Sequence, residues 1–196
     1  MDGIVGSSDT YPSPAQLSGE LERVRAGKRR RSVLRGLLRT LVLCAAAAAL
    51  AATLWMPVLR VYGASMTPTL REGEVVICLR SKDLQPGDLA AFRLGGKLLL
   101  KRCIAGPGQW VDMEEDGTVL VDGVALEEPY LSEKALGACD LTLPFQVPEN
   151  RWFCMGDHRA TSLDSRHSAV GCVSREQLVG KVLFRVWPLS RLGKLT

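Results

Sequence analysis

The chain has 196 residues, 46% of them hydrophobic, which is enough for one packed domain and some extra chain. Its net charge of +4 lies entirely in residues 1–39, which hold eight basic and four acidic side chains; the other 17 basic and 17 acidic residues cancel. A nucleic-acid-binding module carries its basic excess on the folded domain. That class is therefore excluded, no nucleic-acid partner is expected, and the basic cluster reads as a topology signal.

In chain order, residues 1–20 are rich in Ser, Gly and Pro and read as disordered. Residues 17–31 offer a basic amphipathic helix for a membrane surface, but a solvated tail is the preferred reading. Residues 1–32 together form a basic tail. From Thr40 to Leu59 the chain reads TLVLCAAAAALAATLWMPVL, 20 residues without a charge. As a helix this run spans roughly 30 Å, the thickness of a bilayer core. Trp55 suits an interface anchor and Pro57 a helix exit. The anchor is assigned to residues 33–59. Lys28–Arg31, Arg35 and Arg39 precede the run, so the positive-inside rule places the N-terminus in the cytoplasm and residues 60–196 outside the plasma membrane. Two other readings compete. A cleaved leader is disfavoured because a tail of about 30 residues is long for its n-region. A buried core helix is disfavoured because the apolar run is too long.

Beyond Leu70 the periodicity shortens. The runs EVVICLR (74–80), DLAAFRL (88–94) and KLLLKRCI (97–104) read as strands, with Gly95-Gly96 as a two-residue hairpin turn. GTVLVDGVAL (117–126) repeats the pattern about Asp122-Gly123. RWFCMGD (151–157) and LVGKVLFRVWP (178–188) supply two more strands. SREQLVG has room for one helical turn. The fold class expected is mainly β: an antiparallel sheet domain over residues 60–196 on a single N-terminal transmembrane helix.

Six cysteines are present, and Cys44 falls in the anchor. Cys78, Cys103 and Cys154 lie among Val, Ile and Phe and read as small buried hydrophobes. Free thiols outside the membrane sit oddly with an oxidising compartment. No C-x-x-C occurs and there are only two histidines, so no metal site is expected.

Ser65, in GASMTPTL, follows closely on the apolar run. A usual triad needs a histidine. His158 and His167 share one loop, yet Lys101 stands out as a partner. By strand alternation Lys101 shares a face with Leu99 and Cys103, and Arg102 shares one with Leu100 and Ile104. An inward lysine is desolvated; lowering its pKa from ~10.4 to ~7.5 means about 4 kcal/mol against the charged form. Such an amine accepts a serine proton. Periodicity alone leaves a surface lysine on an amphipathic strand as the commoner reading.

Four segments then resemble the type I signal peptidase family of membrane-anchored serine–lysine peptidases. SMTPTL (65–70) is similar to its nucleophile motif and GDLAAF (87–92) to its Gly-Asp strand motif. KRCIAGPGQ (101–109) is similar to its lysine motif and GDHRATSLDSR (156–166) to its C-terminal motif. They occur in the family's order and cover about residues 55–188. The resemblance implies an endopeptidase that removes signal peptides from exported precursors at the outer membrane surface. It implies Ser65 as nucleophile and oxyanion donor through its N–H, and Lys101 as general base. Ser162 would orient the lysine, and Asp164 with Arg166 would form a supporting ion pair. No cofactor is implied. The partners are signal peptides and the lipid bilayer, and a monomer is expected. The second oxyanion position is Gly63, as in many single-anchor relatives, so no side chain donates there. His158 stands where the family usually has asparagine, and Gln109 where it usually has aspartate. His158 reads as a surface loop residue. The loop from Leu131 to Pro144, with Cys139, carries no inferred role. A cytosolic self-cleaving repressor protease would use the same dyad but lacks an anchor. A tethered β module without catalysis is the remaining alternative.

Overall fold

A computed structural model describes residues 14–195, which fall into two units divided between Ala51 and Ala52. Helix α1 (Pro14–Trp55) is continuous and supplies all of the described part of the first. Proline suits the first helical position, where its missing N–H costs nothing. Residues 17–31, expected to be a solvated tail, are helical instead. Ala, Leu, Glu, Arg and Lys dominate there, and all favour helix. Of residues 1–20, expected to be disordered, 14–20 are helical and 1–13 fall outside the described residues. The stretch Gly27–Trp55 is long and apolar enough to cross a membrane. Val33, Leu34, Leu37, Leu38, Val42, Leu43 and Leu50 are all exposed, and these positions run right round the helix. The helix ends at Trp55, earlier than the apolar run suggested. Pro57 stops it, and Val58 and Leu59 belong to a strand.

The second unit is antiparallel β. Its strands are β1 (Val58–Arg60), β2 (Val75–Leu79), β3 (Leu89–Leu94), β4 (Lys97–Ala105), β5 (Trp110–Met113), β6 (Val119–Val121), β7 (Val124–Ala125), β8 (Phe145–Gln146), β9 (Arg151–Met155), β10 (Val173–Ser174), β11 (Leu178–Trp187) and β12 (Gly193–Lys194). The larger sheet runs β1-β2-β11-β3-β4-β9-β10, with β12 also on β11. The smaller runs β7-β6-β5-β8. Both expected hairpin turns form. Gly95 and Gly96 join β3 to β4, and Asp122 and Gly123 join β6 to β7, all four at positive φ. SREQLVG contributes a turn at 175–177 rather than helix.

The β2 residues alternate between half-buried and buried, with Val76 and Cys78 inward, as one covered face requires. By contrast, Leu89–Phe92 of β3 and Lys101–Ala105 of β4 are buried on both faces. Two cores flank these central strands. One holds Val61, Met66, Leu70, Val76, Cys78 and Val182. The other holds Phe92, Cys103, Trp152, Cys154 and Leu178. A third, with Val111, Val119, Phe153 and Met155, joins the small sheet to the large one.

Gly180 of β11 is required by close approach: a Cβ there would lie 2.2 Å from the carbonyl oxygen of Leu79. Backbone cannot yield as a side chain does. Gly180→Ala is expected to cost about 3 kcal/mol and to lower the thermal midpoint by roughly 6–12 °C, read by circular dichroism on the detergent-solubilised chain.

Candidate active site

The segment 63–70 is a turn between β1 and β2, entered at Gly63 with φ +77°. Thr67 closes it, its N–H donating to the Ala64 carbonyl at 3.0 Å and its hydroxyl at 2.8 Å. Leu70 N–H donates to Met66 O at 2.8 Å. Met66 and Leu70 are buried in the first core, so two apolar side chains root the turn and Ser65 sits half-buried above them.

Lys101 lies on the central part of β4 and is 3% exposed. Its Nζ is 2.6 Å from Ser65 Oγ. Burial lowers its pKa below the ordinary 10.5. The carboxylates of Asp164 and Asp157 oppose that fall and the Arg166 guanidinium adds to it. Neither histidine bonds to Ser65 through its ring. His158 Nδ1 meets Thr161 Oγ1 at 2.8 Å, and His167 faces Asp140.

Strand alternation put Lys101 and Arg102 on opposite faces, one of them outward. Both are buried, because β4 is covered on both sides at this level. Arg102 binds Asp157 through two hydrogen bonds, of 3.0 and 2.9 Å. It also donates to Gly87 O at 2.8 Å and lies over the Tyr130 ring, 3.8 Å from its centroid. Sequence reasoning gave no role to Arg102, Asp157 or Tyr130.

The segment 156–166 folds over the pair. Asp164 and Arg166 are fully buried and joined by hydrogen bonds of 2.9 and 2.8 Å. Burial alone would raise the Asp164 pKa, but Arg166 outweighs it and holds the carboxylate ionised, with Gly156 N–H also donating to it. Arg166 further donates to the carbonyls of Leu136 (2.6 Å) and Arg159 (2.9 Å). Arg159 pairs with Glu128 in a third buried ion pair. The stretch 128–140, for which the sequence suggested nothing, thus backs the loop. Asp140 also accepts from the Ser168 N–H and hydroxyl.

The expected hydrogen bond from Ser162 to Lys101 is not formed. Ser162 is 4% exposed and its Oγ has no hydrogen-bond partner among the described residues. The hydroxyl is packed over Gly156. It lies near enough to Asp164 to help hold that carboxylate ionised, though short of hydrogen-bond geometry. The packing is tight: a Cβ on Gly156 would come within 2.1 Å of Ser162 Oγ and 2.5 Å of Ser65 O.

Of the two departures from the family pattern, only Gln109 has a side-chain explanation. His158 acts through its backbone, its N–H donating to Ser65 O at 3.1 Å. Gln109 Oε1 accepts from Gly106 N at 2.8 Å and its Nε2 donates to Asp122 Oδ2 at 2.9 Å. An aspartate there could accept but not donate, and would face the Asp122 carboxylate. The buried thiols are weak nucleophiles, with burial pushing Cys78 up to about 12 and Cys172 to about 11. Beside Ser65 lies a cleft of about 660 Å³ lined by residues 58–63, Met66 and 97–101.

A serine hydroxyl held against a buried amine is the arrangement that nucleophilic hydrolysis with an amine base requires. Comparison with known proteins points to one family. A family model described as "Signal peptidase, peptidase S26" matches residues 34–187. The chain is 33% identical over 147 residues to a signal peptidase I of Bacillus licheniformis, covering 68% of this chain and 78% of that one. It is 35% identical over 148 residues to a signal peptidase IB of Staphylococcus aureus, covering 65% and 76%. A crystal structure of a signal peptidase I from Enterococcus faecalis is 30% identical and covers 50% of this chain and 96% of that one, with a TM-score of 0.41. This chain belongs to the S26 signal peptidase family.

Gly156→Ala is expected to lower activity at least ~10²-fold, because misplacing a reacting group by about 1 Å costs that much. Steady-state cleavage assays check this.

Proposed function

We propose that the protein is a membrane-anchored serine endopeptidase that removes signal peptides from exported precursors. The 2.6 Å contact between Lys101 Nζ and Ser65 Oγ carries this reading. Lys101, whose neutral form burial favours, takes the Ser65 proton as the hydroxyl attacks the scissile carbonyl. The Ser65 N–H stabilises the oxyanion, a contribution of about 3–4 kcal/mol for one such donor. The lysine ammonium protonates the leaving amine. Lys101, neutral again, then deprotonates the water that attacks the acyl carbon, and passes that proton to Ser65 Oγ as the acyl group leaves. Ser162, Asp164 and Arg166 are positioning residues in this scheme. They hold the 156–166 segment, within which Asp164 accepts from Gly156 N–H and from which His158 N–H donates to Ser65 O.

The substrate segment binds extended. Supporting this, β1 ends the large sheet, and β4 pairs with β3 over 97–102 but with β9 only from Arg102 onward. Two strand edges therefore flank the cleft beside Ser65. An extended peptide would satisfy both by main-chain hydrogen bonds while its small −1 and −3 side chains enter the cleft. Helix α1 holds the enzyme at the bilayer, with the N-terminus cytoplasmic and residues 60–196 outside, where precursors emerge. The enzyme works as a monomer.

In a signal-peptide cleavage assay on detergent-solubilised protein, Ser65→Ala and Lys101→Met are expected to lose at least ~10³-fold in kcat. Full activity in Ser65→Ala would sink the scheme. A base with a lowered pKa is charged below that value and neutral above it. The kcat/KM profile should therefore lose activity as pH falls through the Lys101 pKa, at a midpoint below 10.5. The same lowering means that the fold resists a proton the unfolded chain accepts. Stability should rise with pH between the folded value and 10.5, and Lys101→Met, which has no charge to bury, should melt at or above the parent temperature near neutral pH.

A further inference from the structure

Behind the Ser65 turn, away from Lys101, lies a charged cluster that the proposed mechanism does not use. Glu74, at the start of β2, is 3% exposed. It accepts from two arginines: Arg185 of β11, at 3.1 Å, and Arg191 of the short 3-10 segment Leu189–Arg191. The two arginines are tied to each other, since Arg185 Nε donates to Arg191 O at 2.6 Å. Each also reaches the main chain that follows the serine. Arg185 Nη1 donates to Thr69 O at 2.9 Å and Arg191 Nη2 to Pro68 O at 3.4 Å.

The segment that carries Arg191 is itself fixed. Gly193 and Lys194 pair with β11, and Leu195 N–H donates to Leu183 O at 2.9 Å. The Leu195 side chain is buried in the same core as Met66 and Leu70. Arg191 lies beyond residue 187, where the match to the family model ends.

We infer that Glu74, Arg185 and Arg191 form a clamp that positions Ser65 from behind, with Arg191 brought by the C-terminal strap. The inference rests on the reading of Ser65 as nucleophile. A turn has no ladder of main-chain partners, so its carbonyls need donors from elsewhere. Arginine supplies several in a fixed fork, and a shared carboxylate holds both forks in register. With Ser65 O held by His158 N–H on one side and the 68–69 carbonyls held on the other, the hydroxyl has little room to leave Lys101.

The test uses the full chain in detergent with Arg191→Ala, Arg191→Lys and Ser65→Ala, measuring kcat, KM and the folded fraction at the assay temperature. Arg191→Ala is expected to lower kcat per folded molecule roughly 10–100-fold, with KM within about twofold. Arg191→Lys keeps the charge for Glu74 but not the fork, and should recover part of that loss. The clamp is overturned if Arg191→Ala turns over within about twofold of the parent per folded molecule, the whole loss then lying in the folded fraction. It is equally overturned if KM rises while kcat holds. If Ser65→Ala is inert while Arg191→Ala behaves as the parent, the clamp alone fails. If Ser65→Ala cleaves normally, the nucleophile reading fails and the clamp with it.

Discussion

Keeping Lys101 out of water is the constraint on which the rest of the domain depends. An ammonium on a wet strand stays charged and cannot take a proton. Lys101 is buried by the Ser65 turn on one side and by segment 156–166 on the other, and neither is regular secondary structure. Irregular backbone in a dry place leaves carbonyls and N–H groups without ladder partners. The domain answers with buried arginines. Arg166 alone binds the Asp164 carboxylate and donates to the carbonyls of Leu136 and Arg159. Arg102 joins Asp157 to Gly87 O, and Arg159 joins Glu128 to Gly156 O. Buried ion pairs are weak sources of stability, because desolvation consumes most of the attraction. Here their geometric role matters more: each guanidinium acts as a small rigid substitute for a missing strand.

The same pairing sets the electrostatics. Asp164 and Asp157 near Lys101 would on their own keep the ammonium charged. Each is paired with an arginine of its own, and Arg166 offsets part of the influence of Asp164. Desolvation is then the largest influence on Lys101, and it favours the neutral amine.

How legible this was in the sequence depended on what carried each feature. The two tight hairpins were plain because positive φ demands Gly or Asp at fixed positions, and Gly95-Gly96 and Asp122-Gly123 supply them. Ser65 and Lys101 were readable because motifs name them, although periodicity could not say which of Lys101 and Arg102 pointed inward, since both do. Strand β1 was hidden in the apolar run, where Val58 and Leu59 suit helix and strand alike. A helix over 17–31 was one of two readings and was set aside because its polar composition resembles that of a solvated tail. The stretch 128–140 was unreadable for a different reason. Much of its contribution is main-chain carbonyl oxygen offered to Arg166, and carbonyls carry no residue-type signature. Glu128 and Asp140, its charged contacts, look like any surface acids until the fold pairs them.

That the proposed nucleophile sits in a turn follows from what the reaction needs. On a strand interior, the Ser65 N–H and carbonyl would be taken by neighbours in the sheet, and no N–H would be left for an oxyanion. A turn frees that N–H and lifts the hydroxyl above the sheet, but it surrenders the rigidity a ladder confers. The compensations are all long-range in sequence: Met66 and Leu70 rooted in the core, His158 N–H on the serine carbonyl, and Arg185 and Arg191 on the two carbonyls of Pro68 and Thr69. Precision at Ser65 is thus gathered from β4, the 156–166 loop and the C-terminal strap together. The site cannot exist before the whole sheet has closed, and a short Ser-bearing peptide of the same local sequence would have nothing to hold its hydroxyl against an amine.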